Sequence, residues 1–247
     1  MSVPLLTRVQ GNACFLTLNR PEVGNCLSAE LVEELHRALD TFEASPLKVV
    51  IFQGEGRHFC TGFDLADLAG QSDADLALRF IRIEQLLARI WNAPYPTIAV
   101  AAGRTFGAGA DLFAACGWRI ALEKTSFCFP GAGFGVVLGT ARLAARIGSR
   151  ALEWIETGRE IAVDEAERLG LVQQVTCPEA LPGVLEGAIG TSTRLHATTL
   201  SGLRAALAAE RGSADRDLAE LVRSVARPGL KARMEYYRSQ QQRSRVP

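Results

Sequence analysis

The chain has 247 residues, 48% of them hydrophobic, enough to bury a sizeable single core. Its 27 Lys and Arg balance 27 Asp and Glu, and this neutrality leaves no electrostatic footprint for nucleic acid or a strongly acidic partner. Six cysteines are scattered without a CxxC pair, several inside apolar runs, which is the pattern of reduced buried thiols rather than a zinc site.

The opening MSVPLLTRVQ lacks a long apolar stretch and no segment approaches a membrane span, so the expected location is the cytoplasm. Residues 5–9 and 13–18 flank Gln10-Gly11-Asn12 and predict a hairpin. Ser28 predicts the cap of a helix whose Leu31, Val32, Leu35, Leu39 and Phe42 recur at helical spacing, with Ser45-Pro46 ending it. A buried strand follows at 49–53, then the segment HFCTGFDL (58–65). The polar stretch 70–75 reads as a mobile loop. A second amphipathic helix is expected at 76–91, terminated by the sequence NAPYP (92–96). The strand 97–102 leads into FGAGADLFAAC (106–116), and short strands are expected at 118–121 and 127–129. From residue 140 the pattern is helical, interrupted by one apolar strand at 171–175. Alternating strands and helices, then helices alone, predict one α/β domain followed by a helical region.

The two glycine-bearing segments carry the functional information. Each reads as strand, glycine turn, then helix. Glycine lets the backbone turn sharply and lets a ligand approach the main chain. Two such turns can aim two backbone N–H groups at one oxygen, an oxyanion hole that stabilises charge developing on a carbonyl.

These segments resemble the crotonase superfamily, the enoyl-CoA hydratases and isomerases. LTLNRPEVGNCLSAEL (16–31) is similar to the family's opening strand and first helix. VVIFQGEGRHFCTGFDL (49–65) and AVAAGRTFGAGADLFAACGWRIA (99–121) resemble its two oxyanion segments, and IAVDEAERLGLVQQV (161–175) resembles a later family stretch. The resemblance implies a crotonase-type spiral of β-β-α turns over 1–190. It also implies a helical C-terminal extension over 191–247, packed on the core or on a neighbouring subunit of a homotrimer or hexamer. An acyl-CoA substrate follows, with coenzyme A entering as part of it, no permanently bound cofactor and no metal.

Carried over by position, the oxyanion donors are the N–H groups of Phe63, after Gly62, and Ala108, between Gly107 and Gly109. Asp111 stands where hydratases carry the first of two glutamates. Its place in the first turn of a helix favours the ionised form, which suits a base or an electrostatic role. The second glutamate should follow Pro130, where this chain has Gly131, and the stretch 135–140 is about three residues short. A glycine cannot orient water or move a proton, so ordinary two-carboxylate hydration is not expected. Glycines 131, 133, 135 and 139 lack the Walker lysine and the dinucleotide spacing, and read as a backbone channel that widens the pocket. Glu84, with Arg82 and Gln85, lies on the helix whose counterpart lines the acyl pocket in some relatives; a solvated charge is the ordinary state there. His58 reads as an edge histidine, Asp64 as the residue that fixes the turn, and Asp67 as a solvated helix residue.

The sequence therefore points to an acyl-CoA enzyme that stabilises an enolate, by hydration, isomerisation, decarboxylation or thioester hydrolysis. Decarboxylation carries extra weight because an oxyanion hole alone stabilises the enolate as carbon dioxide leaves. The competing class is a non-catalytic CoA-thioester binder or oligomeric scaffold. An RNA-binding role lacks a basic patch.

Overall fold

The computed structural model describes residues 3–207 and 213–243; residues 208–212 and 244–247 of the expected extension lie outside the described residues. A six-stranded sheet runs in the order β1 (Leu5–Gln10), β2 (Ala13–Leu18), β3 (Val49–Gly54), β4 (Thr97–Ala101), β6 (Trp118–Leu122) and β9 (Gln174–Thr176). A smaller sheet holds β5 (Arg104–Phe106), β7 (Ser126–Cys128) and β8 (Ile161–Ala162). β1 and β2 form the expected antiparallel hairpin, with Gln10 opposite Ala13, and the remaining large-sheet pairs are parallel.

The two sheets explain the spiral. Each turn places a first strand in the large sheet and a second in the small one before a helix begins. β4 and β5 precede α3 (Ala108–Ala115), and β6 and β7 precede α4 (Thr140–Ile147). The β3 turn does the same with one residue, because Cys60 bridges Thr105 at the edge of the small sheet. That bridge sets residues 61–63 beside residues 106–108, so the winding itself brings the two glycine turns together.

Strand periodicity divides the core. Val50 and Phe52 of β3 and Ala99 and Ala101 of β4 face the main cluster under α1 (Ala29–Glu43) and α2 (Asp73–Trp91). Their neighbours Val49, Ile51, Ile98 and Val100 face the opposite side, which α7 (Leu181–Thr193) covers with Val184, Leu185 and Ile189. α7 runs through residue 190, so the division expected there falls inside a helix. The remaining helices are α5 (Arg150–Thr157), α6 (Val163–Arg168), α8 (Ala197–Ala206), α9 (Ala214–Val225) and α10 (Leu230–Arg243). α9 and α10 pack on their own core. Leu221, Leu230 and Met234 join Leu76, Phe80 and Val136 in a third apolar cluster.

Four expectations change. No helix follows the first glycine segment; residues 66–70 are turns, and Asp67 is an exposed turn residue. The apolar run 171–175 is strand only from Gln174, because Leu171 and Val172 fill the main core before β9 begins. A short strand, β8, precedes α6. The stretch 70–75 is a helix start rather than a mobile loop. Ser72 Oγ accepts the Asp75 N–H at 3.2 Å, and Asp75 accepts the Ser72 N–H at 2.9 Å, a reciprocal cap. Asp73 accepts the N–H groups of Gly229, Leu230 and Lys231 at 2.8–3.1 Å and so caps the start of α10.

Those N–H donors, Lys231 foremost, hold the Asp73 carboxyl below its ordinary value. A depressed carboxylate contributes stability above its ordinary pKa of about 3.9 and loses it as pH falls through the lower folded value. Asp73→Asn should therefore speed amide hydrogen exchange in α10 at neutral pH, and acidification below about pH 4 should do the same to the native chain. Unchanged exchange in the variant would remove Asp73 as the tie.

Candidate active site

The two glycine turns touch. Gly62 has φ +102° and Gly107 φ +51°, conformations that side-chain-bearing residues rarely adopt. A β-carbon on Gly62 would lie 2.9 Å from the Phe106 carbonyl oxygen and 3.5 Å from both Gly107 Cα and Ala108 N, so glycine is required for the approach. Leu27 bridges Phe63, with the Leu27 N–H bonding Gly62 O at 2.7 Å and the Asp64 N–H bonding Leu27 O at 3.2 Å. This parallel pairing uses the groups on either side of Phe63, so the Phe63 N–H points away from Leu27. Ala108 is the first residue of α3, where backbone N–H groups have no intrahelical acceptor. Asp64 fixes the turn as expected: it accepts the Ala66 N–H at 2.9 Å and Arg20 Nη1 at 2.7 Å.

Both turns open on a cavity of about 690 Å³ that Asp111 and Gly131 also line. Its apolar wall includes Phe63, Phe80, Phe134, Val136 and Met234, with Phe63 stacked on Phe80 at 4.3 Å between centroids. Exposed Arg104, Glu160 and Arg238 belong to the lining, so the cavity reaches solvent. The C-terminal extension contributes Met234, Tyr237, Arg238 and Gln241 to the lining, and Tyr237 packs where a β-carbon on Gly133 would sit, 2.7 Å from Tyr237 Cε2.

Asp111 stands one turn into α3, its N–H bonded to Gly107 O at 3.0 Å. It is 5% exposed, and among the described residues its Oδ1 has no hydrogen-bond partner. Burial pushes this carboxyl well above the usual carboxylate range; Arg142 opposes the shift and Glu84 adds to it. Burial thus works against the expected ionised form. The start of α3 supplies a favourable field, but desolvation of an unpaired carboxylate outweighs it. The cover over Asp111 is Gly139, at φ +66°, whose β-carbon would fall inside the carboxyl group. Gly139→Ala should cost more than the roughly 1–2 kcal/mol of a left-handed backbone alone. Adding Asp111→Ala should recover part of the loss. Urea denaturation of both variants checks the coupling, and additive effects would deny the contact.

The model of the family "Enoyl-CoA hydratase/isomerase" matches residues 8–223. The chain belongs to the enoyl-CoA hydratase/isomerase family. It is 34% identical over 225 residues to a Rhizobium meliloti (strain 1021) protein named "Probable enoyl-CoA hydratase", covering 89% of this chain and 85% of the relative. A solved Bordetella parapertussis structure, described with the paired name enoyl-CoA hydratase/isomerase, superposes with TM-score 0.91 at 42% identity, covering 96% of this chain and 98% of that one. The crotonase fold recurs in an enoyl-CoA hydratase structure from Bacillus halodurans at TM-score 0.82 and 24% identity, over 95% of this chain and 100% of that one.

Within this enoyl-CoA hydratase/isomerase chain the remaining sequence candidates separate. Gly131 lies in a tight 3-10 turn, Pro130–Phe134, and its backbone is not left-handed. A β-carbon there would meet only the Val136 carbonyl oxygen, at 3.3 Å. Gly109 is outside the cavity, pressed against Cys60. Glu84 is not a solvated charge and does not line the cavity. It is 1% exposed and ion-paired with equally buried Arg142, which also reaches Asp217 at 3.3 Å. Arg82 pairs with Glu33 and holds Gln85 on the surface. His58 Nδ1 accepts the Arg104 N–H at 3.0 Å, the edge role expected of it. Of the glycines 131, 133, 135 and 139 read as a channel, only Gly131 lines the cavity, and Gly139 instead covers Asp111; Arg142, Asp217 and Tyr237 were not foreseen. Among the described residues no helix is long and apolar enough to cross a membrane, and no group of three or more His, Cys, Asp or Glu could hold a metal ion.

Proposed function

We propose that the protein binds an acyl-CoA thioester in this cavity, stabilises its enolate through the N–H groups of Phe63 and Ala108, and protonates the α-carbon from Asp111. Among family reactions, loss of carbon dioxide from a β-carboxyl thioester fits best. The carbon–carbon bond to the carboxylate breaks and its electron pair becomes the enolate. The two N–H groups take up the oxygen charge. Asp111 then gives its proton to the α-carbon and regains one from water. One observation carries this reading: the Asp111 carboxyl is buried in the cavity wall with no hydrogen-bond partner for Oδ1 among the described residues, and burial favours its protonated form, while Gly131 lines the same cavity. A neutral acid donates a proton but cannot pull one from water. No permanently bound cofactor is needed, because coenzyme A arrives with the substrate, and a homotrimer or hexamer in the cytoplasm is the proposed working form.

A second reading rests on Glu160, the exposed carboxylate of the same lining. With Glu160 as base and Asp111 as acid, hydration regains its two groups. An open cavity of this size counts against a purely structural role. The test is a panel of CoA thioesters analysed by mass spectrometry. A malonyl-type substrate should lose carbon dioxide in an Asp111-dependent way. Rapid hydration of crotonyl-CoA that Glu160→Gln removes would favour the second reading, and no turnover together with no binding would refute both. Light scattering that returned a monomer at micromolar concentration would reject the assembly.

A further inference from the structure

Buried Glu84 and Arg142 and half-buried Asp217 form a charged cluster behind Asp111, which lines the cavity. Glu84 comes from α2, Asp111 from α3, Arg142 from α4 and Asp217 from α9, two of them separated by 75 residues of chain. Arg142 and Glu84 are each 1% exposed and Asp217 15% at the side chain. Arg142 gives Nη2 to Glu84 and Nη1 to Asp217. Its Nε, Glu84 Oε1 and Asp111 Oδ1 have no hydrogen-bond partner among the described residues. Among the described residues Asp111 has no ion pair, although Arg142 and Glu84 lie close enough for their charges to act on it.

We propose that Asp217 is a positioning residue that, through Arg142 and Glu84, commits the one buried cation beside Asp111 and so reserves the Asp111 carboxyl as a proton donor. This rests on the role given to Asp111 above. Two ionised carboxylates on one arginine already leave the cluster with an excess negative charge. A third would add an uncompensated charge in a dry interior, where it is costly. The proton therefore settles on the carboxyl group without an ion pair. Burial raises Glu84 and Asp217 too, with Arg142 opposing in both, so the cluster as a whole is short of positive charge. Among the described residues the other charged groups lining the solvent-reaching cavity with Asp111 are Arg104, Glu160 and Arg238, all exposed, where screening weakens them. The C-terminal extension thus supplies a residue that tunes the acid, beyond the residues it adds to the cavity lining.

The test needs no substrate. The full chain is labelled at the aspartate carboxyl carbons, the Asp111 signal is assigned by its loss in Asp111→Asn, and its titration is followed by NMR. In the native chain Asp111 should remain protonated at pH 7. Asp217→Asn frees one side of Arg142 and should lower the Asp111 midpoint by about one pH unit or more, a tenfold change in proton affinity. Glu84→Gln should move it the same way. Asp217→Glu, which restores the charge, should return it towards the native value, and exposed Asp215→Asn on the same helix should leave it unmoved. A purely structural Asp217 would not produce that pattern. A native Asp111 that is protonated but indifferent to Asp217→Asn and Glu84→Gln would overturn this proposal and leave the proposed function standing. A native Asp111 ionised at pH 7 would overturn both.

Discussion

Replacing Ala108 with proline should lower turnover of an acyl-CoA substrate by roughly 100–1000-fold while leaving the fold intact. The magnitude is that of losing one preorganised donor to a developing oxyanion. Ala108 is the first residue of α3, the helix position that proline tolerates best because its N–H has no helical partner. Proline removes the proposed donor and adds ring atoms where Ala108 is already only 5% exposed, so circular dichroism and a urea midpoint must accompany the kinetics. Substrate binding should weaken less than turnover, since the donor acts mainly on charge that appears in the transition state. A folded variant with undiminished turnover would remove Ala108 from the chemistry.

The parts of this protein legible in its sequence are those that local rules govern. Ser28 and the spacing of Leu31, Val32, Leu35, Leu39 and Phe42 define α1, and those five residues are its buried face. The glycine turns were legible for the same reason: Gly62 and Gly107 are required by their own backbone angles and by close approach, which the flanking residues announce. Even the reciprocal cap of α2 has a readable spacing, Ser72 to Asp75, that the polarity of 70–75 obscured. What the sequence withholds is non-local. The Glu84–Arg142 pair spans 58 residues, and the ties from Asp73 to α10 span 156–158. Nothing near Glu84 distinguishes a buried partner of arginine from a solvated helix charge. Asp111 is the instructive case. Its position at a helix start argues for a carboxylate, whereas burial under Gly139 pushes its pKa up, a shift no local sequence signal announces.

Asp111→Asn should abolish proton transfer to the α-carbon, leave acyl-CoA binding largely intact and raise thermal stability at neutral pH. The stability gain follows from linkage. A folded pKa raised above the ordinary value of about 3.9 means that the native state holds a proton the unfolded chain has released. Stability from this group is full below about pH 4 and falls as pH rises towards the folded pKa; asparagine is neutral throughout and removes that slope. Loss of activity with a gain in stability marks a group kept for chemistry at the expense of the fold. The same site should make the native chain a poor hydratase. A protonated Asp111 can deliver a proton, and hydration also requires a base for water, which Gly131 cannot supply. Crotonyl-CoA hydration, followed by the loss of enoyl absorbance, should fall far below the roughly 1–1000 per second of ordinary enzymes. Gly131→Glu should raise it. The backbone there accepts a side chain, with only the Val136 carbonyl oxygen near the new β-carbon, and the new carboxylate would enter the cavity that Asp111 lines. Brisk hydration by the native chain that survives Asp111→Asn would show that the acid and base of this cavity lie elsewhere.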